Sequence, residues 1–205
     1  MIDLDLPLAE ERVRSLKIGD LVTFTGSFFT GRESFYIRAV EQGILPPIDF
    51  SSLNLMVHTG PIMRRRDRGW EAVSLTPTTS IRMDKYCPSL LARLGTRAIV
   101  GKGTMGRETA RAMRVFGCVH AAPVGINAAN LARQVRRVQR VCFLAEIGPT
   151  EATWVMEAEK FGPFLIDIDA AGRNFFHRVN RRVARNLREI FGDLAVPPEY
   201  RYTEI

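Results

Sequence analysis

Residues 98–110 read AIVGKGTMGRETA. Ala98, Ile99 and Val100 make an apolar run of strand character, a glycine loop follows, and helical character begins at Arg107. A strand that turns through glycines into a helix is the elementary step of a chain mixing both element types. The same alternation extends upstream. Leu21, Thr23 and Thr25 alternate as a strand closed by turns at Gly26 and Gly31, and ESFYIRAVEQG (33–43) has helical spacing with Gly43 as its C-terminal cap. LNLMVHTGP (53–61) reads as a short buried strand, MRRRDRGWEAVSL (63–75) as a polar hairpin tip and second strand, and a helical stretch follows TPTTSIRMD to about Leu94.

Downstream, CVHAAPVG (118–125) reads as a strand and turn and INAANLARQVRRV (126–138) as a helix. RVCFLAEIG, TWVMEAEKFG and PFLIDIDAAG read as three strands. From Asn174 the pattern is an amphipathic helix, with Phe176, Val179, Val183, Leu187 and Ile190 on one stripe and Arg178, Arg181, Arg182, Arg185 and Arg188 on the others. The expected class is therefore α/β in the mixed, α+β sense. Residues 1–205 are expected to form a single domain, with 174–205 a C-terminal helical tail.

A chain of 205 residues that is 46% hydrophobic can bury one substantial core. It holds no run of about 18 apolar residues, so no membrane span is expected. The acidic start MIDLDLPLAEERV is unlike an export signal, and Cys87, Cys118 and Cys142 are odd in number and widely spaced. Both features point to a reducing cytoplasm, with no disulfide framework and no zinc site. The net charge is +7, and of the 29 basic residues only Lys17, Lys85, Lys102 and Lys160 are lysine. An arginine bias of this kind fits nucleic-acid contact, forked recognition of anions, or the codon habits of the host.

Gly101, Gly103 and Gly106 have the G-x-G-x-x-G spacing of a dinucleotide turn. That turn also needs an acid about 20 residues on, for the ribose hydroxyls. No Asp or Glu stands between Glu108 and Glu146. A phosphate loop ends Gly-Lys-Ser/Thr, whereas Lys102 lies between the first two glycines. What remains is a loop whose backbone can approach a small anion, with the N-terminus of the helix from Arg107 and the charge of Lys102 beside it. The plain alternative is a tight turn with a solvated lysine.

Two more loop-to-helix junctions carry cations. In Pro77-Thr78-Thr79-Ser80-Ile81-Arg82 three consecutive hydroxyls precede a helix start, where they can cap it or bind a carboxylate together with Arg82. Thr30-Gly31-Arg32-Glu33 is a glycine turn that presents Arg32. Cations at three junctions suit a small dicarboxylate, one charge at each end. A threonine hydroxyl among them could serve proton transfer if neighbouring cations and amides stabilise its alkoxide.

The runs GPIMRRRDRGWEAVSLTPTTSIRMD, AIVGKGTMG and EATWVMEAEKFGPFLIDIDAAGRNFF resemble, in order and spacing, the beta subunit of two-subunit class I fumarate hydratases and L-tartrate dehydratases. The same domain forms the C-terminal half of single-chain class I fumarases, and the resemblance covers roughly residues 18 to 176. It implies a swivelling β/β/α domain within a reversible hydro-lyase of C4 dicarboxylates, fumarate to malate first and tartrate to oxaloacetate second. It implies a 4Fe-4S cluster carried by a partner alpha subunit and not by this chain. Position by position, it implies Thr78 as the catalytic base, Thr79 as a substrate hydrogen-bond donor, and Arg32, Arg82 and Lys102 as carboxylate-binding residues.

Two positions depart from the family pattern. Thr76 and Thr104 stand where glycines are usual, and a positive φ at either would strain a threonine. His58, His120 and His177 show no ligand spacing and are expected to be satisfied structural residues. Asp167 and Asp169 are expected to end a strand and hold its turn. Two other functions are open to such a sequence: a catalytically degenerate family member acting as a binding or assembly subunit, and a nucleic-acid-binding protein using the arginines of 133–140 and 173–188.

Overall fold

The computed structural model describes residues 1–125 and 127–191. Its strands are β1 (Ile2–Asp5), β2 (Leu21–Thr30), β3 (Leu55–Val57), β4 (Ile62–Arg66), β5 (Gly69–Ser74), β6 (Ala98–Val100), β7 (Val119–Pro123), β8 (Val135–Cys142) and β9 (Thr153–Ile168). The α-helices are α1 (Glu10–Ser15), α2 (Glu33–Tyr36), α3 (Cys87–Leu94), α4 (Arg107–Phe116), α5 (Ala128–Gln134), α6 (Leu144–Glu151) and α7 (Phe175–Phe191). A π-turn, Ile37–Glu41, continues α2, and a 3₁₀ turn covers Ser80–Met83. The class is mixed α/β, as expected. No helix among the described residues is long and apolar enough to cross a membrane.

Seven strands form one sheet in the order β1-β2-β3-β6-β7-β9-β8, and β2 pairs with β9 as well, so the hydrogen bonding returns on itself through β2, β3, β6, β7 and β9. β1, β2, β3, β6 and β7 are parallel neighbours. β9 runs antiparallel to β2, β7 and β8. The short runs Leu55-Met56-Val57 and Ala98-Ile99-Val100 are apolar at every position because both faces of these strands are covered. Leu55, Val57, Ala98 and Val100 join one core with Phe28, Trp154, Phe161 and Phe164. Met56 and Ile99 point the other way, into a second core with Tyr36, Leu90, Leu91 and Met113 beneath α2, α3 and α4.

Several boundaries differ from expectation. β2 does not stop at Gly26 but passes through it, at φ 125°, with a register shift against β9 and Leu6 packed over the bare Cα. The basic run after Gln134 is strand β8, not helix, and LAEIG is helical, not strand. Helix α5 ends at Gln134, whose side-chain amide accepts from Gly162 N and donates to Gly162 O, both at 3.0 Å, as β8 is taken up by β9. TWVMEAEKFG and PFLIDI are one 16-residue strand, bent where Lys160 (φ 49°) and Gly162 (φ 143°) leave the extended region. β1 adds an edge strand at Ile2–Asp5, paired in parallel with β2.

The amphipathic pattern from Asn174 does form a helix, and the Asn174 Oδ1 accepts from His177 N at its start. Val179, Val183 and Ile190 are exposed on it. Residues 192–205 of the anticipated tail lie outside the described residues.

Candidate active site

In α/β folds, open or closed, ligands gather at the carboxyl ends of the parallel strands, and the loops that carry the predicted residues meet there in this protein. β2 ends at Thr30, followed by Gly31 and Arg32; β3 leads into His58-Thr59-Gly60, and β6 into Gly101-Lys102. The Thr78–Ser80 segment is stitched between the last two. Thr78 N donates to His58 O (2.6 Å), Lys102 N donates to Thr78 O (2.8 Å) and Ser80 N donates to Lys102 O (3.0 Å). This places Thr79 opposite Lys102 as a parallel bridge. The main chains of Thr78, Thr79 and Lys102 are thus one short extension of the sheet.

The hydroxyls do not cap the 3₁₀ turn, for which Thr79 is the N-cap without a side-chain bond. The Thr78 Oγ1 instead accepts from Arg82 Nη2 at 2.7 Å. A guanidinium donating to that oxygen favours its alkoxide. Arg82 is also 3.5 Å from Glu33. Arg32 is half-buried; its Nε lies 3.2 Å from Glu151 Oε1 but out of line for a hydrogen bond, and a Cβ on Gly60 would press on its guanidinium. Lys102 is exposed and makes no ion pair among the described residues.

The glycine loop differs from the expected anion seat in one respect. The N-terminus of α4 is occupied by the protein's own acid: the Asp84 Oδ1 accepts from Gly106 N at 2.7 Å. Neither Thr76 nor Thr104 has a positive φ, so neither departure strains the backbone. The Thr104 hydroxyl accepts from the buried Asn174 amide at 2.8 Å, which ties the loop to the start of α7. A basic cleft of about 640 Å³ lies beyond, lined by Lys17, Arg107, His177 and Arg181 among others, but Thr78, Arg82 and Lys102 do not line it.

Beneath the stitched loops lies an arrangement that sequence spacing could not reveal. The Tyr36 hydroxyl is 2.7 Å from His58 Nε2, and His58 Nδ1 is 2.9 Å from Ser80 Oγ. Ser80 Oγ is 2.9 Å from His120 Nε2, and His120 Nδ1 is 2.6 Å from Asp167 Oδ1. All five residues are 0% exposed. Burial, then the neighbouring His120 and Arg82, holds His58 well below the ordinary histidine pKa, so its ring is neutral. Burial keeps Tyr36 protonated far beyond its usual range. The expectation of satisfied histidines describes both rings, but Asp167 is not a turn residue. Asp169 is, accepting from Ala171 N and Arg173 N at 3.0 Å.

The donor set of this chain does not suit an iron–sulfur cluster. Cys87 and Cys118 are sealed in the second core, where burial pushes the Cys87 thiol up to about 12 and Cys118 well above its ordinary value, against the thiolate a cluster needs. No group of three or more metal-binding side chains occurs among the described residues. The arginine-rich 133–140 segment is likewise not a free basic helix: Arg136 and Arg137 of β8 pair with Glu159 and Glu157 of β9.

Residues 1–179 match the family described as Fumarase C-terminus. The chain is 35% identical over 188 residues to a putative L(+)-tartrate dehydratase subunit beta from Methanocaldococcus jannaschii, covering 90% of this chain and 96% of the relative. It is 33% identical over 172 residues to the L(+)-tartrate dehydratase subunit beta of Escherichia coli, covering 83% and 84%. A putative class I fumarate hydratase from Geobacillus stearothermophilus is 30% identical over 190 residues, which are 92% of this chain and 36% of that longer protein.

Proposed function

This chain belongs to the fumarase C-terminus family, that of tartrate dehydratase beta subunits and class I fumarate hydratases, and from that premise we propose that it is the beta subunit of a hydro-lyase acting on a C4 dicarboxylate. The relatives that it matches along most of their length carry L(+)-tartrate in their names, so tartrate joins fumarate as the first substrate to try. The observation that carries the chemical reading is Thr78. Its main chain is pinned between His58 and Lys102 and its hydroxyl receives the Arg82 guanidinium.

Dehydration breaks a C–H bond and a C–O bond on adjacent carbons and releases water. Thr78 acts as the alkoxide, whose charge Arg82 supports, and takes the carbon-bound proton while the C–O bond breaks and hydroxide departs. The proton then passes from the Thr78 hydroxyl to that hydroxide, which leaves as water and restores the alkoxide. Thr79 donates to the substrate, and Lys102 and Arg32 hold its two carboxylates, Arg32 by exchanging its misaligned partner Glu151. A swivelling β/β/α domain agrees with the parallel strands lying between α2–α4 on one side and β9 with α5 on the other.

The open setting of Lys102 and Arg82 suits a pocket completed by an alpha subunit, and the 4Fe-4S cluster expected of such enzymes is assigned to that partner. Anaerobic purification of the tagged chain from its host should bring down a stoichiometric iron-bearing subunit, and the complex should turn over tartrate or fumarate. A chain that emerges alone and iron-free, or a complex inert toward both acids, would overturn the assignment.

A further inference from the structure

We propose that Tyr36, His58, Ser80, His120 and Asp167 form a one-way hydrogen-bond relay that positions Thr78 and Lys102, with Asp167 as its anchor. The inference rests on the reading of those two residues as site residues.

Direction follows from counting hydrogens. The relay takes one ring hydrogen on each histidine: His120 donates from Nδ1 to Asp167, which leaves its Nε2 as an acceptor. The single Ser80 hydrogen then goes to His120 Nε2, and the Ser80 oxygen is free to accept from His58 Nδ1–H. His58 Nε2 in turn accepts the Tyr36 hydroxyl hydrogen. Run the other way, with Ser80 donating to His58, the ring would donate to Tyr36 Oη. The Tyr36 hydrogen would then be left with the Cys87 sulfur beside it, a far weaker acceptor than a ring nitrogen. Trading a ring-nitrogen acceptor for a sulfur in a wholly buried site is costly, so the arrangement toward Asp167 is preferred.

The relay reaches the reaction through the backbone. Gly101 rests on its middle: a Cβ there would collide with Ser80 Oγ and crowd His58 Nδ1 (2.9 Å) and His120 Nε2 (3.2 Å). His58 lends its carbonyl to Thr78 N, and Ser80 gives its N–H to the Lys102 carbonyl. Fixing the side chains of His58 and Ser80 from below therefore fixes both loops from above. His58, Ser80 and His120 are positioning residues, since all three are sealed from the surface. The short Thr78 hydroxyl cannot follow a shifted substrate, whereas the long Lys102 and arginine side chains can. Loosening the relay should thus lower kcat while sparing KM.

Histidine nitrogen NMR on the full chain should show both His58 and His120 as neutral Nδ1–H tautomers. An imidazolium at either ring, or an Nε2–H tautomer, overturns the relay. In the assembled enzyme, Ser80→Ala should lower kcat per folded molecule at least tenfold with KM within threefold of wild type, and Tyr36→Phe, which removes only the terminal hydroxyl, should lower it two- to fivefold. A purely structural cluster would instead lower the melting temperature and leave kcat per folded molecule unchanged, which overturns the positioning role alone. Wild-type enzyme inert toward both tartrate and fumarate overturns the functional reading and the positioning role with it.

Discussion

Two sets of polar side chains cross-link neighbouring strands of this protein, and they lie at opposite extremes of solvent access. The Tyr36–Asp167 chain is wholly buried under the carboxyl ends of β3 and β6. The pairs Arg136–Glu159 and Arg137–Glu157 (2.6 and 2.7 Å) join β8 to β9 in the open. The distances are alike, but the consequences are not. Water can replace either partner of an exposed pair, whereas a buried group that loses its partner has nothing to turn to. Buried polar order near the site should therefore be costly to disturb, and the exposed ladder should be expendable.

The largest effect should come at the tip of the buried region. Thr78→Ala removes the proposed base, and turnover by the assembled enzyme should fall about a thousandfold while the chain stays folded. Steady-state kinetics with a circular-dichroism control measures this. Near-normal activity would break the link between buried order and chemistry. Gly101→Ala comes next, because the added methyl meets Ser80 Oγ and both imidazoles at once. A loss of about 3 kcal/mol in urea unfolding is expected, with activity lost in parallel.

The buried half should also respond to acid. His58 has a pKa depressed in the folded protein by burial, so between that value and the unfolded value of about 6.5 the unfolded chain binds more protons. Stability is complete above about pH 6.5 and declines below it by up to about 1.4 kcal/mol per pH unit until the folded pKa is reached. Urea unfolding at pH 7.5, 6.5 and 5.5 reads this slope, and His58→Asn should flatten it.

The contrast also shows which features the sequence could reveal. Val57 and Val100, inside short all-apolar runs, announce buried strands, and the hydroxyl and glycine loops after them announce a site. The arginines of strand β8 repeat at helical intervals and hide it, and only the Gln134 clamp on Gly162 and the pairing with β9 decide otherwise. Gly162-Pro163 reads as a turn that would split β9 in two, yet Lys160 and Gly162 absorb the bend within one strand. The relay draws residues 36, 58, 80, 120 and 167 from five separate segments, so no local pattern could assemble it. Ser80 is the instructive position: in a run of three hydroxyls it reads as capping chemistry, and it is the His58 and His120 rings, brought in after β3 and on β7, that engage its hydroxyl instead.

The smallest effect belongs to the exposed ladder. Arg137 donates through Nε and Nη2 to Glu157, which draws that carboxyl below its ordinary pKa, and Gln139 adds a further bond. The Arg137 side chain is 67% exposed, so water and salt screen the pair on every open side. Arg137→Ala should move the melting temperature by less than about 2 °C and leave kcat and KM unchanged. Raising the ionic strength should erase even that difference, because the charge on Glu157 is then screened with or without its partner. A larger loss that persists in high salt would mean that β8 is held to β9 by this pair and not by the strand ladder and the packing of Val138 and Val141 on the core that holds Trp154 and Met156, and the division between a critical interior and an expendable ladder would have to be redrawn.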